Sequence, residues 1–149
     1  MEVTKIFTFD SAHFLTQYYG KCEKIHGHTY KLEVTIEGDV QDNGLVLDFI
    51  ILKRVVNKHV ISKIDHMNLN DILENPSSEN LVIWIWKNLF SLNKLLKEEI
   101  GDPNLPEDLK QYISNVNDLS FEDFNIKLKE LKLWETATSF VTYQGAPNK

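Results

Sequence analysis

The chain has a single cysteine, Cys22, so no intrachain disulfide can form and stability has to come from a core. Basic residues are in deficit, with 16 Lys and Arg against 22 Asp and Glu, giving a net charge of −6. That balance, with no long basic run, argues against wrapping nucleic acid or coating an anionic membrane. Long apolar runs are missing too: the longest, Leu81 to Trp86, is far too short to span a bilayer. The opening residues Met1 to Asp10 lack the basic-then-apolar layout of a signal peptide, so a soluble, cytoplasmic protein is the expectation. Repeats and low-complexity tracts are absent. The 149 residues, 42% of them hydrophobic, suffice for one domain with its own core.

The first third has the pattern of strands. Residues 2–9 are rich in Val, Thr, Ile and Phe, and residues 29–37 place Tyr30, Leu32, Val34 and Ile36 on one face by strict alternation. Turn signals at Gly38-Asp39 and Asp42-Asn43-Gly44 end that strand. Asp48 is a suitable N-cap for a helix through about residue 61, with Phe49, Leu52, Val56 and Val60 at helical spacing. A second helix is predicted over 81–97, started by Asn75-Pro-Ser-Ser78 with Glu79 in its first turn and stopped by Gly101 and Pro103. Residues 101–125 are too poor in apolar residues for their own core. They form an expected insertion loop, with a short helix over 107–113. Two closing strands, 126–135 and 138–143, carry a phase slip near Glu130-Leu131 that fits a bulge, and the tail 145–149 is expected to fray. The order strand, strand, helix, helix, strand, strand is an α+β pattern. Four strands leave two open edges, which oligomerisation is one way to cover.

Four histidines have suggestive neighbours. His26 and His28 stand two apart at a strand entrance, hence on one face, and His13 meets them if the two strands form a hairpin. Three neutral imidazoles suit zinc and leave a fourth position open. Cys22, four residues before His26, is either a fourth ligand that closes the site or a thiolate base favoured by nearby zinc and by Lys21 or Lys24. Asp65-His66 pairs an orienting carboxylate with an imidazole. His59 lacks such company and is expected to be an exposed helix residue. Trp134-Glu135 sets a carboxylate beside an aromatic at a strand end, which can grip the N–H groups of a guanine-like or pterin-like ring.

Together these segments resemble the 6-pyruvoyl-tetrahydropterin synthase family, and within it the 6-carboxy-tetrahydropterin synthase branch of queuosine biosynthesis. The resemblance is carried by Phe9-Asp-Ser-Ala-His13, Cys22-Glu-Lys-Ile-His-Gly-His28, Gly44-Leu-Val-Leu-Asp-Phe49, Asp65-His-Met-Asn-Leu-Asn70, Pro76-Ser-Ser-Glu-Asn80 and Trp134-Glu-Thr136, in family order. It implies a tunnelling fold (T-fold): a four-stranded antiparallel sheet with two helices on one face, three subunits closing a β-barrel and two trimers often stacking. It implies His13, His26 and His28 as zinc ligands, Cys22 as proton acceptor, and Asp65 and His66 as partners in proton transfer. The resemblance further implies that Glu135 anchors the pterin ring and takes part in the proton relay as a catalytic residue, and that Ser77, Ser78 and Glu79 belong to a pterin-recognition segment. The implied substrate is 7,8-dihydroneopterin triphosphate, giving 6-carboxy-5,6,7,8-tetrahydropterin, acetaldehyde and triphosphate. Glu23, directly after Cys22, is associated in the family with release of 6-hydroxymethyl-7,8-dihydropterin for folate synthesis. It is therefore a candidate second base, with a water-facing loop residue as the alternative. A triphosphate substrate also calls for local positive charge, for which Lys21 and Lys24 are candidates. A zinc-stabilised binding module that kept the fold without turnover is the alternative of a different class.

Overall fold

The structure, a computed structural model, describes residues 1–16, 24–115 and 125–147. Cys22, Glu23 and Lys21 lie outside the described residues, as does part of the 101–125 stretch.

Strand β1 (Glu2–His13) pairs antiparallel with β2 (His26–Glu37) along its full length, from Glu2 opposite Glu37 to His13 opposite His26. Both strands run further towards the histidines than β-propensity alone predicts. The added segments Asp10–His13 and His26–His28 are held by the same ladder. β4 (Lys127–Thr136) pairs with the other edge of β2, and β5 (Ser139–Tyr143) with β4, completing the expected four antiparallel strands. A fifth strand, β3 (Met67–Asn68), lies parallel against Ser11 and Ala12, so the order is β3-β1-β2-β4-β5.

Period-two alternation puts Tyr30, Leu32, Val34 and Ile36 fully inside, joined by Leu131 and Leu133 from β4. The expected phase slip is present. Thr35 pairs with Glu130 while Ile36 pairs with Leu128, so Lys129 is the extra residue. The helices cover this one face. α1 (Phe49–Val56) starts where Asp48 accepts a hydrogen bond from the Ile50 N–H, continues as a π-helical turn over Asn57–Ile61, and ends with α2 (Ser62–Ile64). Its buried stripe is Ile51, Leu52, Val55, Val56 and Val60. Phe49 instead lies 47% exposed beneath the Lys5 ammonium. His59 is half-buried, and burial together with Lys58 and Lys63 holds its pKa below the usual imidazole value.

The second predicted helix is broken into α3 (Ser78–Leu89) and α4 (Leu92–Ile100), because Ser91 leaves the helical region at ψ 46°. Phe90 is left exposed at the break, and α4 turns back to contact α1. α5 (Glu107–Asn115) matches the short helix expected in the 101–125 stretch. The tail is less free than expected at its start. Gly145 has φ +86°, and a Cβ there would sit 2.8 Å from the Trp86 ring, so only glycine fits this close approach. Among the described residues, no helix is long and apolar enough to cross a membrane.

Candidate metal centre and pterin site

The β1–β2 register brings His13, His26 and His28 together on the helix-covered face, with ring centroids 4.6–5.0 Å apart. His13 is 1% exposed. Its Nδ1 lies 2.8 Å from the Pro76 carbonyl oxygen, which can only accept, so Nδ1 carries the hydrogen. The Nδ1 of His26 is fixed in the same way by the Lys24 carbonyl at 2.8 Å. In both rings the lone pair is therefore on Nε2, and the two Nε2 atoms face each other at 3.1 Å. Two acceptors at that distance repel unless a proton or a cation lies between them. The Nε2 of His28 is buried and has no hydrogen-bond partner among the described residues.

One ligand atom from each ring falls within 4.8 Å of the others, so the three can hold a metal ion. Zinc fits this donor set. Zn–N bonds of about 2.0–2.1 Å place tetrahedral ligand nitrogens roughly 3.3 Å apart, close to the His13–His26 separation. Burial, helped by the two neighbouring imidazoles and opposed by Glu135, also lowers the pKa of His28, favouring the neutral ring that ligates.

Beneath the triad lies a residue that the motifs did not single out. Tyr30 is fully buried, edge-on to His13 and His28, with its hydroxyl 3.4 Å from His13 Nδ1. Burial, then the nearby Glu135 carboxylate, pushes its pKa upward, so it stays a phenol. Its position on β2, two residues beyond His28, was the available signal.

Glu135 reaches the triad from β4. Trp134 pairs with Phe140 and Thr136 with Ser139, leaving Glu135 as the extra residue of a bulge beside the site. Its Oε1 lies 3.6 Å from His28 Nε2, and its Oε2 accepts a 2.7 Å hydrogen bond from the Ser78 hydroxyl. Trp134, its expected aromatic companion, does not share the pocket. Adjacent strand residues face opposite ways, and its indole N–H donates to Glu33 with Lys31 stacked 4.3 Å from the ring. The serine segment is divided. Ser78 is buried against Glu135, Ser77 is the N-cap of α3 and accepts from the Asn80 N–H, and Glu79 is exposed in the first turn.

Asp65 and His66 form a second cluster at the outer edge of β1. Asp65 Oδ1 accepts from the Asp10 N–H and stands 3.0 Å from His66 Nδ1. His66 adopts φ +58°, held there by its own N–H donating 2.6 Å to the Asp10 carbonyl. The arrangement orients the ring with Nδ1 on the carboxylate and Nε2 available. With Asp10 these groups also offer ligand atoms within 4.8 Å of one another. An open cavity of about 540 Å³ is walled by both His28 and His66, linking the clusters.

The Asp10 N–H, followed by His66, holds the Asp65 carboxyl below its ordinary 3.8. A depressed folded-state value stabilises the fold above the unfolded pKa, and that contribution is lost as pH falls through the folded one. Asp65→Asn keeps an acceptor for the Asp10 N–H but not the charge. The stability gap between wild type and this variant is therefore expected to be present at pH 6 and to close in urea titrations as pH falls below the ordinary 3.8. A gap that widens on acidification would contradict the assignment.

A family profile described as "6-pyruvoyl tetrahydropterin synthase" matches residues 2–146. The chain is 34% identical to a 6-carboxy-5,6,7,8-tetrahydropterin synthase of Haemophilus influenzae, over 96% of this chain and 98% of that one. It is 38% identical to a dihydroneopterin monophosphate aldolase of Pyrococcus furiosus, over 86% and 83%. Among solved structures, the 6-pyruvoyl tetrahydropterin synthase of Caenorhabditis elegans superposes with a TM-score of 0.66, covering 98% of this chain and 96% of its own at 23% identity, and so speaks for the fold. A matching profile over nearly the whole chain, relatives above 30% identity and the shared fold lead to one conclusion: the chain belongs to the 6-pyruvoyl tetrahydropterin synthase family.

Proposed function

We propose that the protein is a zinc-dependent 6-carboxy-5,6,7,8-tetrahydropterin synthase acting on 7,8-dihydroneopterin triphosphate. The observation that carries this reading is the convergence of ring nitrogens from three histidines within 4.8 Å of one another, with the Glu135 carboxylate beside them. The full-length similarity to the Haemophilus influenzae synthase favours the carboxy-pterin product.

His13, His26 and His28 would hold the zinc, which supplies Lewis-acid polarisation of the substrate's side-chain oxygens when bound. The remaining roles belong to the chain. Glu135 accepts N–H groups of the pterin ring and fixes the reacting carbons relative to the histidines. Cys22 is the thiolate that removes a carbon-bound proton. The Asp65–His66 dyad takes up or returns a proton at Nε2. His66 has a side chain 77% exposed, so an oligomer that closes the strand edges, a trimer or a pair of trimers, would enclose it.

Cleavage to 6-hydroxymethyl-7,8-dihydropterin is the second reading. It is favoured by the similarity to the Pyrococcus furiosus aldolase and by Glu23 beside Cys22. Incubating zinc-loaded protein with 7,8-dihydroneopterin triphosphate and identifying the pterin by mass spectrometry separates the two. Carboxytetrahydropterin with acetaldehyde is expected. Hydroxymethyl-dihydropterin alone would move the assignment to the aldolase branch, and absence of turnover would leave the binding-module alternative.

A further inference from the structure

We infer that Ser78 is a positioning residue: its hydroxyl aims the Glu135 carboxylate, and it serves the ligand only through Glu135. This rests on the pterin reading of the site and assigns a separate task to one residue of the serine segment.

Three consecutive residues ahead of and within the first turn of α3 each make one directed contact. The Pro76 carbonyl receives the His13 Nδ1–H, the Ser77 hydroxyl caps the helix, and the Ser78 hydroxyl donates 2.7 Å to Glu135 Oε2. The capped helix fixes the spacing between the first and the last contact. One short segment therefore sets both a metal ligand and the carboxylate next to it. Ser78 is only 9% exposed, and its single O–H is already donated to Glu135 Oε2. A bulge residue such as Glu135 lacks ladder pairing to hold it, so its carboxylate has need of such a tether. With Oε2 held by Ser78, Oε1 is left on the side facing His28, where a bound ring would present its N–H groups.

A double-mutant cycle distinguishes acting through Glu135 from touching the ligand. The probe is neopterin, an unreactive fluorescent pterin, titrated into zinc-free wild type, Ser78→Ala, Glu135→Ala and the double variant. Losing a hydrogen bond to a charged group predicts about tenfold weaker binding for Ser78→Ala. Ser78→Thr, which keeps the donor, is expected to bind within about threefold of wild type, and the double variant to bind no worse than Glu135→Ala. Losses that multiply across the cycle, or a Ser78→Ala variant with wild-type affinity, would overturn the inference. Ser78→Cys, close to isosteric and a weak donor, replaces Ser78→Ala if the latter does not fold. Failure of the wild type to bind neopterin would count against the pterin reading instead. The positioning claim then rests on a crystal structure of Ser78→Ala, in which a Glu135 carboxylate displaced from its wild-type place supports it and an unmoved one refutes it.

Discussion

His13→Ala is expected to release the metal and to abolish turnover. The ring is the most buried of the three, and two neighbours define its role: the Pro76 carbonyl fixes the Nδ1 proton, which leaves Nε2 as the lone-pair donor towards His26. Removing it takes away one of three ligands and the ring that holds the other two in edge-on contact. Loss of an outer-shell partner already costs about 10–100-fold in metal affinity. Loss of the ligand itself should exceed the upper end of that range and reduce bound zinc after dialysis to well under one per chain. His59→Ala, far from the triad in sequence and on a half-buried helix position, serves as the comparison and is expected to keep both zinc and activity. Elemental analysis of dialysed protein, run beside the product assay, checks both outcomes. Retention of one zinc per chain by His13→Ala would show that the metal is held elsewhere.

The histidine triad was readable because strands impose simple rules. Residues two apart share a face, and a hairpin brings the far end of one strand to the start of the next, so His13, His26 and His28 had to meet once β1 and β2 paired. Features that depend on exceptions to those rules were less visible. The bulge that isolates Glu135 has no composition of its own, and the same alternation that turns Glu135 inward carries Trp134 to the opposite face. The break at Ser91 was hidden because neither glycine nor proline interrupts Leu81 to Lys97, and only tertiary contact between α4 and α1 accompanies the turn of the chain there. Backbone carbonyls of Lys24 and Pro76 carry no sequence signature at all, yet they choose the tautomers of two proposed ligands. Family membership came through motifs in order, while Cys22 and Glu23, the two proposed bases, fall outside the described residues.

The contact that turns α4 back also sets up the largest expected stability effect away from the site. Glu99 on α4 is 3% exposed, and its carboxylate is held by the Arg54 Nε at 2.6 Å and by the Lys58 Nζ at 3.7 Å, both reaching from the first helical segment. Arg54→Met keeps most of the aliphatic stem but leaves the buried charge with one distant, largely exposed ammonium. Breaking a fully buried pair costs about 3–5 kcal/mol. Here Arg54 is one-third exposed and Lys58 remains, so about 2–3 kcal/mol is the expected loss. For a chain of this size that lowers the melting midpoint by roughly 6–10 °C. The damage comes from stranding the carboxylate, not from losing a favourable pair. Arg54→Met combined with Glu99→Leu should therefore recover most of the loss, because replacing both ions with apolar groups is close to neutral. Chemical denaturation of the two single variants and the double variant reads this directly. A double variant less stable than Arg54→Met alone would mean that the ion pair, and not its desolvation, holds α4 against α1.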